Sequence, residues 1–148
     1  MKVIVLAGSA NTGKTYTLSL VVDALVNNYG ARLIKGAMPV QQPPNAYHQH
    51  PFYNDAVYAL QWNAKKIIIS TAGDKANYIE QQFNTANGNA DVFITASHAQ
   101  SQSTFMRLID KWISAGNIVP EIVASLDHSD PVKQAAWRGR VDQIIRMI

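Results

Sequence analysis

The 148-residue chain contains no cysteine, which excludes disulfides and thiolate metal sites. It has no apolar run approaching the roughly 18 residues that a membrane-spanning helix needs, so no membrane partner is expected. Charge is sparse at 16% of residues, and 13 basic against 10 acidic side chains leave a net +3. The basic residues are scattered, apart from Lys65-Lys66 and the Arg138/Arg140 pair. Nucleic-acid binders concentrate such residues into a stripe, so neither DNA nor RNA is indicated. The first apolar stretch is short and leads straight into Gly8, unlike a secretory signal, and the cytoplasm is the expected compartment. With 47% hydrophobic residues, the chain can bury a core, and one domain over residues 1–148 is expected.

What is present centres on Gly8-Ser9-Ala10-Asn11-Thr12-Gly13-Lys14-Thr15, which fits G-x-x-x-x-G-K-[ST], the phosphate-binding P-loop. The spacing has a physical reason. Gly8 and Gly13 permit a tight turn whose backbone N–H groups point at phosphate oxygens. Lys14 reaches the β- and γ-phosphates, and the Thr15 hydroxyl binds the bridging Mg²⁺. The context agrees. Lys2-Val3-Ile4-Val5-Leu6-Ala7 reads as a buried parallel strand. Beyond the loop, Leu18, Val21, Val22, Leu25, Val26 and Tyr29 recur at helical spacing up to Gly30. The candidate nucleotide-binding residues are Gly8, Ser9, Ala10, Asn11, Thr12, Gly13, Lys14, Thr15 and Tyr16. Strand, loop and helix in this order resemble the P-loop NTPase superfamily.

Further along, Ala31-Arg32-Leu33-Ile34-Lys35 reads as a short second strand. Residues 36–55 hold four of the six prolines, together with His48 and His50, and show no periodicity. A loop this long in a small domain suggests a lid. The two histidines are either ligands or plain polar loop residues. Two β-rich runs, 56–62 and 65–70, joined by Asn63-Ala64 read as an antiparallel hairpin, the first arm alternating as an edge strand does. A helix with Tyr78, Ile79, Phe83 and Ala86 on one face follows. Then come a strand over 91–97, a helix carrying Phe105, Leu108, Ile109, Trp112 and Ile113, and a strand within 118–126. A last helix starts at Ser129 or Asp130 with Pro131, burying Trp137, Val141, Ile144, Ile145 and Ile148. The expected fold is a three-layer α/β/α P-loop sandwich, with a mainly parallel sheet of about five strands and one antiparallel edge strand. Ligands of such sheets bind at the carboxyl ends of the strands.

The hairpin and the following Ser70-Thr71-Ala72-Gly73-Asp74 resemble the segment of small GTPases in which a strand ends in Asp-Thr-Ala-Gly. That resemblance implies an acid for Mg²⁺ at the first position and a glycine N–H for the γ-phosphate. Ser70 replaces the acid, so Asp74 is the candidate to assist the metal or the nucleophile, or else it caps the next helix. The base-reading Asn-Lys-x-Asp motif of that family is matched by Asp127 alone, so ATP is expected rather than GTP. Arg107, Arg138 and Arg140 are candidates for neutralising phosphoryl charge, and His98 for orienting water or substrate. The functional expectation is a Mg²⁺-dependent P-loop protein that hydrolyses ATP or transfers its phosphoryl group, with Lys14 and Asp74 as catalytic residues and Thr15 and Asp74 as metal ligands. The alternative is a nucleotide-dependent switch with little turnover. The phosphoryl acceptor or protein partner is not legible.

Overall fold

A computed structural model of the chain describes residues 1–8, 13–73, 75–98, 107–108, 110–112, 114, 120–124 and 134–148. The first apolar run forms β1 (Lys2–Ala7). The helix-spaced run that follows forms α1 (Lys14–Asn27), with Leu18, Val21, Val22 and Leu25 fully buried. Gly30 takes the left-handed φ of +72° that lets the Ala31 N–H turn back onto the Leu25 carbonyl at 2.8 Å. Tyr29 is exposed and packs edge-to-face on Trp62, whose indole N–H donates to the Tyr29 carbonyl. The other elements are β2 (Arg32–Lys35), β3 (Val57–Trp62), β4 (Lys65–Ser70), α2 (Ala76–Ala86), β5 (Val92–Ser97), β6 (Glu121–Ala124) and α3 (Gln134–Met147).

The six strands lie in the order β2-β3-β4-β5-β1-β6. Only β3 runs against its neighbours, pairing antiparallel with both β2 and β4. The expectation of about five strands with the hairpin's first arm as antiparallel edge is therefore corrected: six strands form, the short second strand read from the sequence takes the edge as β2, and β3 lies inside it. Tyr58, Ala59 and Leu60 in succession are buried, so β3 is covered on both faces despite its alternating look. The edge strand is short, with exposed Arg32 and Lys35, which discourages further strand pairing. The hairpin turn is as expected. Asn63 and Ala64 both adopt positive φ, 48° and 62°, as a two-residue turn of the primed type demands.

Successive strand residues feed two cores, one on each face of the sheet. Ile4, Leu6, Ile67, Ile69 and Ile94 pack with α1 and with Val141, Ile144 and Ile145 of α3. Val3, Val5, Ile68 and Phe93 pack with Ile79 and Phe83 of α2 and with Leu108 and Trp112. Trp112 stacks on Phe83 at 4.8 Å. Each large aliphatic side chain buried in this way contributes about 1.5–3 kcal/mol, and burial on both faces explains why β1, β4 and β5 read as continuous apolar runs. No helix among the described residues is long and apolar enough to cross a membrane.

Two glycine exchanges should move stability in opposite directions. A Cβ at Gly73 would lie 2.6 Å from the Ala96 carbonyl carbon, so Gly73→Ala should cost about 1–3 kcal/mol by overpacking. Ala64→Gly relieves a left-handed alanine and should gain up to about 1 kcal/mol. Thermal unfolding followed by circular dichroism checks both, at roughly 2–4 °C per kcal/mol.

Candidate functional site

The strand order defines where a ligand crevice opens. From β1 the chain moves toward β2 at one edge of the sheet, whereas from β5 it crosses to β6 on the other side of β1. The β1/β5 pair is thus the point at which the direction of winding reverses, the usual place for a ligand in an open α/β sheet. The two strands run in register, with Ala7 opposite Ser97. Just past their ends the Gly8 N–H donates to the Ser97 carbonyl at 3.2 Å. Gly8, Thr71 and His98 all leave the sheet at this edge, and His98 is half-buried there.

Of the residues that match the P-loop pattern, Gly8, Gly13, Lys14 and Thr15 are described, as is Tyr16; Ser9, Ala10, Asn11 and Thr12 lie outside the described residues. Gly13 precedes α1 with φ +76°, and no side chain caps the helix. The left-handed turn is the one glycine makes without a Cβ penalty, and the Gly13 carbonyl receives the Thr17 N–H at 2.8 Å. Lys14 opens the helix and is only 7% exposed. Its ammonium folds back across the loop and donates to the Gly8 carbonyl at 2.9 Å. A buried cation and the positive end of a helix dipole therefore meet at one point, which favours an anion.

Thr15 carries the least expected contact. Its hydroxyl donates to Asp55 Oδ1 at 2.7 Å and also lies 3.3 Å from the Thr71 carbonyl. Asp55 belongs to the end of the 36–55 segment, which sequence reasoning treated as a lid without naming this residue. The hairpin explains its position. Counted outward from Asn63-Ala64, Trp62 faces Lys65 and Val57 faces Ser70, so Asp55 falls level with Ala72, beyond the carboxyl end of β4. A clamp holds it there. The Thr71 N–H donates to the Ala56 carbonyl at 3.0 Å, and the Ala56 N–H donates to Thr71 Oγ1 at 2.9 Å. Thr71 is itself fully buried. The register that pairs Asp55 with the end of the Thr-Ala-Gly strand was countable from the sequence once the hairpin turn was assigned.

Ser70 is fully buried at the strand end, and its hydroxyl has no partner among the described residues. Asp74 lies outside the described residues. The N-cap of α2 is Lys75, one residue beyond the position at which Asp74 was expected to cap. Tyr16 does not simply border the loop: its ring packs between Tyr53 (5.2 Å) and Trp137 (4.9 Å), and its hydroxyl accepts from Gln41 Nε2 at 3.3 Å. The 36–55 segment thus touches two successive residues of α1. A bridge between Gln42 and Phe52 closes the segment on itself.

The remaining candidates scatter. His48 stacks on Phe52 at 4.2 Å, and its N–H is held by Asn45 Oδ1, a local loop arrangement. Arg107 and Arg138 are exposed on helices, and Arg140 donates to Gln143 on its own helix. Asp127 lies outside the described residues. Among the described residues no group of three or more His, Asp or Glu side chains is arranged to hold a metal. Mg²⁺ needs no such cage, since it takes one or two protein oxygens and completes its shell with phosphate and water. The Thr15 hydroxyl at the head of α1 fits that requirement.

Burial raises the Tyr58 phenol above its ordinary pKa of 10.0, with the nearby Ser19 hydroxyl opposing and the Asp55 charge adding to the rise. Burial likewise raises Tyr53, aided by Tyr16, Asp23 and Tyr58. A raised phenol pKa disfavours the folded state once the unfolded chain begins to ionise, so stability present below pH 10 is lost as pH climbs from there through the folded values. Alkaline unfolding should therefore steepen above about pH 10, and Tyr58→Phe should flatten the slope, as read from denaturant midpoints against pH. Separately, Thr71→Val leaves the Ala56 N–H without its acceptor and should cost about 1–3 kcal/mol, whereas Thr71→Ser should retain most of it. Urea unfolding should show the midpoint moving with little change in slope. No family model, curated protein or solved structure matches the chain, and the reading of this edge rests on its own geometry.

Proposed function

We propose that the chain is a Mg²⁺-dependent P-loop protein that binds ATP and hydrolyses it or passes its γ-phosphoryl group to an acceptor, on a three-layer α/β/α P-loop sandwich. The observation that carries this reading is the placement of Lys14 and Thr15 on the first turn of α1, directly beyond the β1/β5 edge, with the Lys14 ammonium 2.9 Å from the Gly8 carbonyl. An ammonium in that position exchanges a neutral carbonyl for phosphate oxygens, adding the attraction of opposite charges to a hydrogen bond whose donor is already ionised.

In this reading the backbone N–H groups from Asn11 to Thr15 cradle the phosphates. Lys14 neutralises charge on the transferring phosphoryl group, and the Thr15 hydroxyl holds Mg²⁺. When bound, the metal would supply positive charge to offset that of the phosphates. Asp74 assists the metal or the nucleophile. ATP is favoured over GTP because the chain lacks the amide and lysine of the guanine-reading motif. The contacts of Asp55 with Thr15 and of Gln41 with Tyr16 support a second reading. A loop joined to the phosphate-binding turn reports its occupancy, as a switch does.

Equilibrium binding of ATP and GTP and phosphate release, each with and without Mg²⁺, separate the readings. Wild type should bind ATP, and Lys14→Ala should lose at least about ten-fold in affinity, or about 1.4 kcal/mol, together with any Mg²⁺-dependent release. Tight binding without release selects the switch or a transferase awaiting its acceptor. Unchanged binding and turnover in Lys14→Ala overturns the proposal.

A further inference from the structure

Resting on the nucleotide reading above, we infer that Asp55 is the carboxylate that holds Mg²⁺ together with Thr15, supplied from just upstream of β3 in place of an acid at the end of β4. The end of β4 offers only Ser70, which is fully buried and uncharged. A hydroxyl there does nothing to offset a dication. The nearest described carboxylate oxygen to the metal-binding hydroxyl is instead Asp55 Oδ1, 2.7 Å from Thr15 Oγ1.

That separation suits a shared metal. Two adjacent ligands of an octahedral Mg²⁺ with bonds of 2.0–2.1 Å lie about 2.9 Å apart. The two oxygens therefore need only a small adjustment, with the Thr15 hydroxyl proton turning away from Asp55. The Thr71 carbonyl, 3.3 Å from the same hydroxyl, is placed to accept a hydrogen bond from a metal-bound water or from the turned hydroxyl. Asp55 is exposed, which leaves the other coordination positions open to phosphate and water. Its backbone is not free to wander, because the Thr71–Ala56 clamp fixes the adjacent residue to the end of β4. A preorganised donor pair of this kind costs little to assemble.

The competing explanation is a plain tether, in which Asp55 only anchors the 36–55 segment to α1. Asp55→Asn separates the two, because the amide oxygen still accepts from Thr15 but carries no charge. Mn²⁺ affinity, read by electron paramagnetic resonance with a non-hydrolysable ATP analogue present, should fall at least ten-fold in Asp55→Asn and by more than in Asp74→Asn. Analogue affinity in EDTA should match wild type. Unchanged Mn²⁺ affinity in Asp55→Asn, or a larger loss in Asp74→Asn, overturns the assignment while leaving the nucleotide reading standing. A wild-type protein that binds no analogue, with or without metal, overturns the nucleotide reading and this inference with it.

Discussion

A sheet covered on both faces keeps its backbone satisfied and its apolar side chains dry, and that constraint shapes everything else here. Residues 3–6 of β1, 67–69 of β4 and 92–96 of β5 are buried on either side. No ligand can approach the sheet through its faces without displacing α1, α2 or α3. The strand ends are where the chain must leave the ladder and its polar groups come free. The edge that gathers Gly8, Lys14, Thr15, Asp55, Thr71 and His98 is the consequence.

Within that edge, hydrogen bonds that join neighbouring segments define the geometry. Gly8 binds Ser97, Lys14 binds Gly8, Thr15 binds Asp55, and Thr71 binds Ala56. The antiparallel β3 is the decisive part of the topology. In a wholly parallel sheet, the residue before a strand lies at the amino edge, away from any P-loop. Because β3 runs backwards, its first residues arrive at the carboxyl edge, and an acid just upstream of it meets the head of α1. The close approach of Gly73 to Ala96 shows how tightly the chain crosses over β5 after leaving β4.

Much of the fold was legible in the residues. The strand before Gly8, the helix after it, the Asn63-Ala64 hairpin and the apolar faces of α2 and α3 follow from period and turn chemistry, which act over a few neighbours. The misreading of β3 as an edge has a clear cause. Alternation reports the average polarity of a strand, whereas whether β2 covers it is a matter of long-range pairing. The Tyr16 ring illustrates the same limit, since its neighbours Tyr53 and Trp137 come from segments 37 and 121 residues away in the sequence.

By itself the sequence determined the local grammar of the site: two glycines, a lysine and a threonine at spacings that only a turn into a helix satisfies. Those spacings are covalent and need no partner to be read. Tertiary structure alone decided which carboxylate faces Thr15. That choice depends on the order of strands across the sheet, which sets the hairpin beside the head of α1 and is fixed by burial of apolar surface between elements far apart in the chain.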